Sequence, residues 1–316
     1  MHIVRYLPAN PSLGPRVGVL QADGTLERLR VRSIAELLGN SRDDIRAATA
    51  EARPESPGCV LLPPIDGRTE VWAAGVTYRI SREARVEEST IGNVYDRVYD
   101  ADRPEIFLKS VAWRVVGDAE PIGIRADSEL NVPEPELGLV LNRNGEIVGY
   151  TVGNDMSSRS LEGLNPLYLA QAKIYAGACA LGPGIRPEWE VEDATDLGIS
   201  VEVLRAGRRS WSGTTRTSLM HRTFPDLVDH LFRASTFPEG AVLLTGTGVV
   251  PNMSFTLSTG DAVRVSIEEV GVLTNTVAVG AKSFGWLDES VKDSSARVSH
   301  RHARGVPRFP QAHPQS

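Results

Sequence analysis

The sequence predicts an α+β fold that is rich in β-strands, with a mixed β-sandwich roll as its main body. Between about residues 105 and 285 the chain consists mostly of short apolar runs separated by turn residues, such as ELGLVLN, EIVGYTVG and AVRVSIEEV. One clear amphipathic helix, TFPDLVDHLFRA, interrupts them. Strands at this spacing are typical of a roll or sandwich, whereas a βαβ array would alternate each strand with a helix.

The chain divides into three predicted segments. Residues 1–65 are predicted to form a small N-terminal α+β domain, because the strand-like runs HIVRYL and RVGVLQA precede two short helices with serine N-caps. A Pro-Pro pair followed by Gly marks the linker. Residues 66–287 are predicted to form the catalytic domain. Residues 288–316 are poor in aliphatic side chains and are predicted to be a disordered tail.

The composition limits the classes of partner. The 316 residues are 41% hydrophobic and 23% charged, which is ordinary for a globular protein, and the net charge of −6 argues against nucleic acid. No apolar run approaches the roughly 20 residues of a membrane span, and the first residues lack a signal-peptide layout. The two cysteines have no metal-site spacing. We therefore expect a cytoplasmic protein with a small-molecule substrate and neither a nucleic-acid nor a membrane partner.

A predicted hairpin brings three carboxylates together. The dipeptide Asn144-Gly145 lies between two apolar strands, and this is the strongest short-range signal for a hairpin. A two-residue turn there places Glu134 opposite Asp155. Glu136 lies two residues from Glu134 and so faces the same side of the strand. Opposed side chains in such a pair begin about 5 Å apart.

Three anions this close repel one another unless a cation or protons intervene. Carboxylate oxygens suit Mg²⁺, Mn²⁺ or Ca²⁺ better than zinc. The geometry alone leaves two alternatives open. The group is either a metal site or a solvated acidic strand end, and one bulge in the hairpin would turn Asp155 to the other face.

Five segments in order resemble the fumarylacetoacetate hydrolase family: EPELGLVL, GYTVGNDMSSR, QAKIYAGACALGP, PEGAVLLTGTGVV and STGDAVRVSIEEVGVLTN. The resemblance covers roughly residues 70–280. It implies the C-terminal fold of that family, and it implies that Glu134, Glu136 and Asp155 bind Mg²⁺ or Mn²⁺. These are the residues that the hairpin register selects independently.

The same resemblance assigns roles to three further side chains. Lys173 matches the active-site lysine of the family, which implies a base or a partner of an enolate. Lys109, in RPEIFLKS, matches a family lysine, and either holds a substrate carboxylate or pairs with a nearby acid. Thr247, in TGTGVV, matches a threonine that contacts substrate.

The lid segment separates branches of the family. Hydrolases and related decarboxylases carry an N-Y-x-x-H-x-x-E pattern, in which the His and Glu of the hydrolases activate water. Ser81 and Ala84 stand at these positions here. The segments TYRISREARVEES and NPLYLAQAKIYAGAC instead resemble the 2-dehydro-3-deoxy-pentonate (2-keto-3-deoxy-arabinonate or -xylonate) dehydratases, which form 2,5-dioxopentanoate through a metal-stabilised enolate.

Our hypothesis for the lid makes Glu83 the acid–base partner, with Ser81 and Arg82 contacting substrate oxygens. Glu87 and Glu88 lie one turn further along and compete for the role of Glu83. The segment is alternatively a solvated helix without chemistry.

Two other functions stay open. One is a C–C bond hydrolase or decarboxylase acting on an acylpyruvate or oxaloacetate with the same metal and lysine. The other is an inactive metal-binding scaffold. The resemblance further implies a homodimer.

Overall fold

A computed structural model describes residues 1–55, 58–88 and 97–297, with side chains at all of these positions except 84–88. Its largest sheet has eleven strands among these residues and is mixed, since one of its pairs is parallel. In spatial order, numbered along the chain, the strands are β4 (Arg53–Pro54), β3 (Leu26–Arg28), β2 (Arg16–Leu20), β1 (His2–Leu7), β13 (Cys179–Pro187), β11 (Ile147–Asp155), β10 (Pro135–Leu141), β16 (Ala241–Leu244), β6 (Glu70–Gly75) and β7 (Glu105–Val111), with β5 (Val60–Leu62) paired to β1.

A second large sheet, a two-stranded sheet and several helices complete the architecture of the described residues. The second sheet contains β15 (Arg208–Arg216), β14 (Gly198–Arg205), β17 (Ala262–Ile267), β18 (Gly271–Val279) and β8 (Ile122–Ile124), and β12 (Ser157–Ser158) pairs with β9 (Asn131–Val132). The helices are α1 (Ile34–Leu38), α2 (Arg42–Ala50), α3 (Arg79–Glu88), α4 (Arg159–Leu164), α5 (Leu169–Lys173), α6 (Phe224–Phe232) and α7 (Gly285–Lys292). None of these helices has both the length and the apolar character that a bilayer span requires.

Both faces of the large sheet are covered. On one face Leu137 and Leu139 of β10 share an apolar cluster with Val201 of β14 and Val265 of β17. On the other face Val140 packs in a cluster that includes α1 and α2. A strand covered on both sides is apolar throughout instead of alternating, which accounts for the run PELGLVL. The predicted α+β, β-rich class with packed sheets is confirmed.

The N-terminal segment continues the large sheet. Strand β1 pairs with β13 at Ile3 and Ile185, and β13 in turn pairs with β11. Helices α1 and α2 begin at the expected caps, where the Oγ atoms of Ser33 and Ser41 accept hydrogen bonds from N–H groups of the first turn. The division into domains at residue 65 stays a prediction, but strands from both sides of that boundary share one sheet.

The prediction of a disordered tail at residues 288–316 places the start of the tail too early in the chain. Helix α7 extends to Lys292, and the Arg297 side chain is buried. Its Nη1 atom donates a hydrogen bond to Glu120 Oε2 at 2.6 Å, and Nη2 donates to two backbone carbonyls. The composition of the segment does not predict this contact, because a single buried ion pair fixes a segment that is otherwise polar. Residues 298–316 lie outside the described part of the chain.

Replacing Arg297 with methionine is expected to lower the free energy of unfolding by about 3–5 kcal/mol, because the carboxylate of fully buried Glu120 loses its cation. Urea denaturation measures the change. The control is Arg233→Met, whose pair with Asp229 is exposed and should contribute less than about 1 kcal/mol. Equal effects of the two substitutions would contradict the anchoring role of Arg297.

Candidate metal centre and active site

Three carboxylates meet at the open end of the β10–β11 hairpin. The register pairs Glu136 with Gly153, and the Asp155 N–H donates a hydrogen bond to Glu134 O at 2.9 Å. One oxygen of each of Glu134, Glu136 and Asp155 lies within 4.8 Å of the other two, and all three side chains are buried. The predicted convergence of these side chains is confirmed.

The turn of this hairpin differs from the prediction. The sequence predicts a two-residue turn ending at Gly145, but the Asn142 N–H donates to Glu146 O, so three residues form the loop. Gly145 adopts a φ of 76°, a left-handed conformation that glycine takes without strain. A bulge between Val140 and Leu141 then shifts the register by one residue. The two departures cancel, which keeps the carboxylates aligned.

Lys173 lies against this group. It is the last residue of α5, and its side chain is only 2% exposed. Its Nζ atom donates hydrogen bonds to Glu134 Oε2 at 2.7 Å, to Asp155 Oδ2 at 3.1 Å and to Ser157 Oγ at 2.6 Å. The structure therefore brings the predicted base to two of the three carboxylates.

Lys109 occupies the opposite side of Asp155. Its Nζ atom, carried by β7, forms an ion pair with Asp155 Oδ1 and donates hydrogen bonds to Met156 O at 2.9 Å and to Lys173 O. It does not line the cavity of the described residues. Of the two roles that the sequence leaves open, these contacts favour pairing with an acid, and the role in substrate binding stays a prediction.

Arg159 is a third buried cation at the site. It begins α4, and its Nη2 atom lies 3.4 Å from Glu134 Oε1. The segment GYTVGNDMSSR, which carries the family resemblance, contains this arginine, but no pattern in the sequence singles it out. Lys109, Lys173 and Arg159 together place three cationic side chains against the carboxylates.

The buried environment of Glu136 disfavours its charged form. Burial raises its pKa well above the ordinary value of 4.5, and the charges of Asp155 and Glu134 raise it further, while Lys173 and an N–H donor lower it. That donor is Gly246 N–H, which bonds Glu136 Oε2 at 2.7 Å. Gly246 has a φ of 89°, a conformation that disfavours any side chain.

The group fits a hard divalent cation. Its members offer oxygen atoms only, they are buried, and one oxygen of each lies within 4.8 Å of the others, so that a single cation could contact all three. Oxygen donors of this kind are the preferred ligands of Mg²⁺ and Mn²⁺.

A small cavity opens beside the carboxylates and Lys173. Its lining includes four residues that the sequence analysis did not single out: Glu105, Phe107, Arg159 and Glu162. Glu105 and Phe107 alternate along β7 and so share a face, and this E-x-F spacing in RPEIFLKS was the available signal. Gly75 makes room for Glu105, because a Cβ there would lie 2.0 Å from Glu105 Oε2.

Two predicted substrate-binding residues line the cavity. Ser81 is buried, and its Oγ atom donates a hydrogen bond to Tyr78 O at 2.7 Å. It lies within α3, which begins at Arg79. Thr247 is buried as well, and its Oγ1 atom donates to Val249 O at 3.2 Å. The positions of both residues are compatible with substrate contact.

Two other lid residues do not line the cavity of the described residues. The guanidinium of Arg82 lies over the ring of Tyr99, 5.1 Å from its centroid. The side chain of Glu83 is 56% exposed and lies 3.6 Å from Arg79 Nε. The structure therefore gives no support to Glu83 as the acid–base partner. The alternatives Glu87 and Glu88 have side chains outside the described residues.

No histidine lines this cavity among the described residues. His221 stacks on Tyr99 with ring centroids 4.3 Å apart. His230 Nδ1 lies 2.9 Å from Asp226 O on its own helix, α6. Both histidines have structural contacts, in agreement with the interpretation of the lid sequence.

Comparisons with known proteins agree with this geometry. A family model described as fumarylacetoacetate (FAA) hydrolase C-terminal matches residues 70–278. A probable 2-keto-3-deoxyxylonate dehydratase from Haloferax volcanii is 52% identical over 214 residues, which cover 68% of this chain and 73% of that protein. A 2-dehydro-3-deoxy-D-arabinonate dehydratase from Saccharolobus solfataricus is 43% identical over 221 residues, covering 69% and 74%.

A solved structure resembles the whole architecture. It is 2-keto-3-deoxy-D-arabinonate dehydratase complexed with magnesium and 2,5-dioxopentanoate, and the match has a TM-score of 0.77 at 33% sequence identity. The match covers 89% of this chain and 99% of that chain.

Proposed function

Because the chain belongs to the fumarylacetoacetate hydrolase family, we propose that it dehydrates a 2-keto-3-deoxy-pentonate to 2,5-dioxopentanoate. The observation that carries the proposal is the buried group of Glu134, Glu136 and Asp155 with Lys173 against it, in a chain 52% identical to a relative named as such a dehydratase.

Glu134, Glu136 and Asp155 would hold Mg²⁺ or Mn²⁺. When bound, such an ion supplies Lewis-acid polarisation of the 2-keto group and makes the neighbouring C3 proton more acidic. Arg159, next to Glu134 and on the cavity wall, supplies a fixed positive charge for the carboxylate of the substrate.

Lys173 is the proposed base. Its amine lies at the cavity wall beside the metal-binding oxygens, so a substrate held there presents C3 to it. A base must lie within hydrogen-bond reach of the proton that it removes. Ser157, which accepts a hydrogen bond from Nζ, helps to orient the amine.

The acid that assists loss of the C4 hydroxyl is proposed to be Glu105, in place of Glu83. Glu105 lines the cavity, whereas Glu83 points to solvent. Glu162 also lines the cavity, from α4, and is the alternative donor. Ser81 and Thr247 would bind the remaining hydroxyl group of the substrate, at C5, which is a polar group that needs a partner in a buried pocket.

The steps balance as the loss of one water molecule. Lys173 takes a proton from C3, the C4–O bond breaks, and the hydroxyl leaves as water with the proton of the acid. A proton then moves from C5 to C3, and the resulting enol becomes the C5 aldehyde. No hydrolytic water takes part, in keeping with a cavity that no histidine lines among the described residues.

The test is an assay of the purified, metal-depleted protein with 2-keto-3-deoxy-xylonate and 2-keto-3-deoxy-arabinonate. We expect 2,5-dioxopentanoate to form on addition of Mg²⁺ or Mn²⁺ and to stop forming with excess chelator. An acylpyruvate and oxaloacetate serve as competing substrates. Cleavage or decarboxylation of these compounds, with no dehydration of either pentonate, would overturn the proposal. The homodimer and the cytoplasmic location stay predictions.

A further inference from the structure

The two carboxylate oxygens of Asp155 are contacted by two different lysines. Oδ1 forms an ion pair with Lys109 Nζ, and Oδ2 accepts a hydrogen bond from Lys173 Nζ at 3.1 Å. Asp155 itself is 1% exposed, so water does not replace either contact. The surroundings of the two lysines differ, and this difference assigns them different roles.

Lys109 is tied to the protein backbone. Besides Asp155, its Nζ atom bonds the carbonyl of Met156, the residue that follows β11, and the carbonyl of Lys173 at the end of α5. Its side chain has 0% exposure and does not line the cavity of the described residues. Two carbonyl acceptors and the ion pair with Asp155 tie the ammonium group to two segments of the backbone, and so hold it in one place.

Lys173 contacts side chains instead. Its Nζ atom lies against Glu134 Oε2 and Asp155 Oδ2, one oxygen from each of two proposed metal ligands, and it lines the cavity. A divalent cation held by the same carboxylates would be repelled by the ammonium group at this short range. The cation and the ammonium group therefore compete for the same negative charge.

We infer that Lys109 is a positioning residue that fixes Asp155 through Oδ1 so that Oδ2 faces the cavity, while Lys173 is an exchangeable counter-cation that the divalent ion displaces from the carboxylates. The inference rests on the metal site of the proposed function. Under this inference, Lys109 keeps its contact with Asp155 when the divalent ion binds, whereas Lys173 loses its contacts with the carboxylates.

The test measures cation affinity and not turnover. Mn²⁺ and Mg²⁺ are titrated by calorimetry into the metal-depleted full chain, as wild type, Lys109→Met, Lys173→Met and Lys282→Met. Lys173→Met should bind the ions at least about tenfold more tightly, because the competing charge is gone. Lys109→Met should bind about 10- to 100-fold more weakly, as is usual when the partner that orients a metal ligand is lost. Lys282 is exposed, and its variant controls for net charge.

A second measurement separates positioning from a merely structural role. For Lys109→Met, the Mg²⁺ concentration that half-activates turnover should rise while KM for the keto acid stays unchanged. If Lys109 bound the substrate carboxylate, KM would rise instead. If the substitution only reduced the amount of folded protein, the Mg²⁺ concentration for half-activation would stay at the wild-type value. This result would count against the inference.

Other outcomes are decisive as well. Equal gains in affinity for Lys109→Met and Lys173→Met would show charge removal alone and overturn the division of roles. If Lys109→Met fails to fold, Lys173→Met still decides, since unchanged or weaker binding overturns the displacement. A wild-type chain that binds neither ion would refute the proposed metal function itself. If the wild type binds the ions and dehydrates the keto acid, but both lysine variants bind the ions with wild-type affinity, only this inference is refuted.

Discussion

Replacing Glu136 with glutamine is expected to reduce dehydratase turnover on the order of 1000-fold, which corresponds to about 4 kcal/mol of lost transition-state stabilisation by a metal ion. The substitution changes one of the three carboxylates that we propose as metal ligands but keeps the shape of the side chain. The glutamine oxygen still accepts the hydrogen bond of Gly246 N–H, so the fold should persist. Steady-state assays at saturating Mg²⁺, with circular dichroism for the fold, test this expectation.

The control for this variant is Glu289→Gln, which changes the same charge at an exposed position of α7. It should keep wild-type turnover. Full activity of Glu136→Gln would show that the acidic group does not serve catalysis, because a site that loses a third of its protein ligands cannot hold its ion unchanged.

The raised pKa of Glu136 adds an expectation for the metal-free protein. A group whose pKa is higher in the folded state contributes stability below its ordinary pKa, and this contribution is lost as pH rises through the raised value. Glutamine stays neutral at every pH. The unfolding free energy of Glu136→Gln, measured in urea with chelator, should therefore improve relative to wild type as pH rises.

The Lys173→Met variant is expected to lose turnover about 1000-fold as well, within the range that a positioned acid–base group contributes. If Lys173 removes the C3 proton, the variant should also fail to exchange C3 hydrogen for deuterium from solvent. Proton NMR of the substrate in deuterated buffer measures this exchange. If Lys173→Met loses dehydration but exchanges the C3 hydrogen at the wild-type rate, the proton transfer belongs to another group.

Glu105→Gln is the variant to compare with Lys173→Met. If Glu105 assists departure of the C4 hydroxyl, this variant should retain exchange at C3 while dehydration falls. The two variants thus separate the base from the acid within one reaction. Parallel loss of both signals in Glu105→Gln would indicate that Glu105 acts in the first proton transfer.

Much of the site was predictable because one hairpin carries it. The alternation of Glu134 and Glu136 and their register with Asp155 follow from strand geometry, and the family resemblance selects the same residues independently. The prediction of the turn was nevertheless wrong. The alignment survived because the three-residue loop at Gly145 and the bulge after Val140 compensate each other.

The remaining parts of the site depend on contacts between distant segments. Lys109 lies near the acids in space, but only the packing of β7 against the end of β11 decides that it faces Asp155 and not the cavity. The position of Glu83 on the lid segment predicted a role in catalysis, but its side chain on α3 lies in solvent beside Arg79. Local periodicity carries no information about either outcome.

The placement of β10 between β11 and β16 has a consequence for biosynthesis. The hairpin that carries the acids precedes β16 in the chain, and Gly246, which bonds Glu136, follows β16. On the ribosome the acids therefore emerge long before the residue that completes their pocket. We expect a nascent chain that stops before β16 to have little affinity for Mg²⁺, so that ion uptake requires synthesis beyond β16.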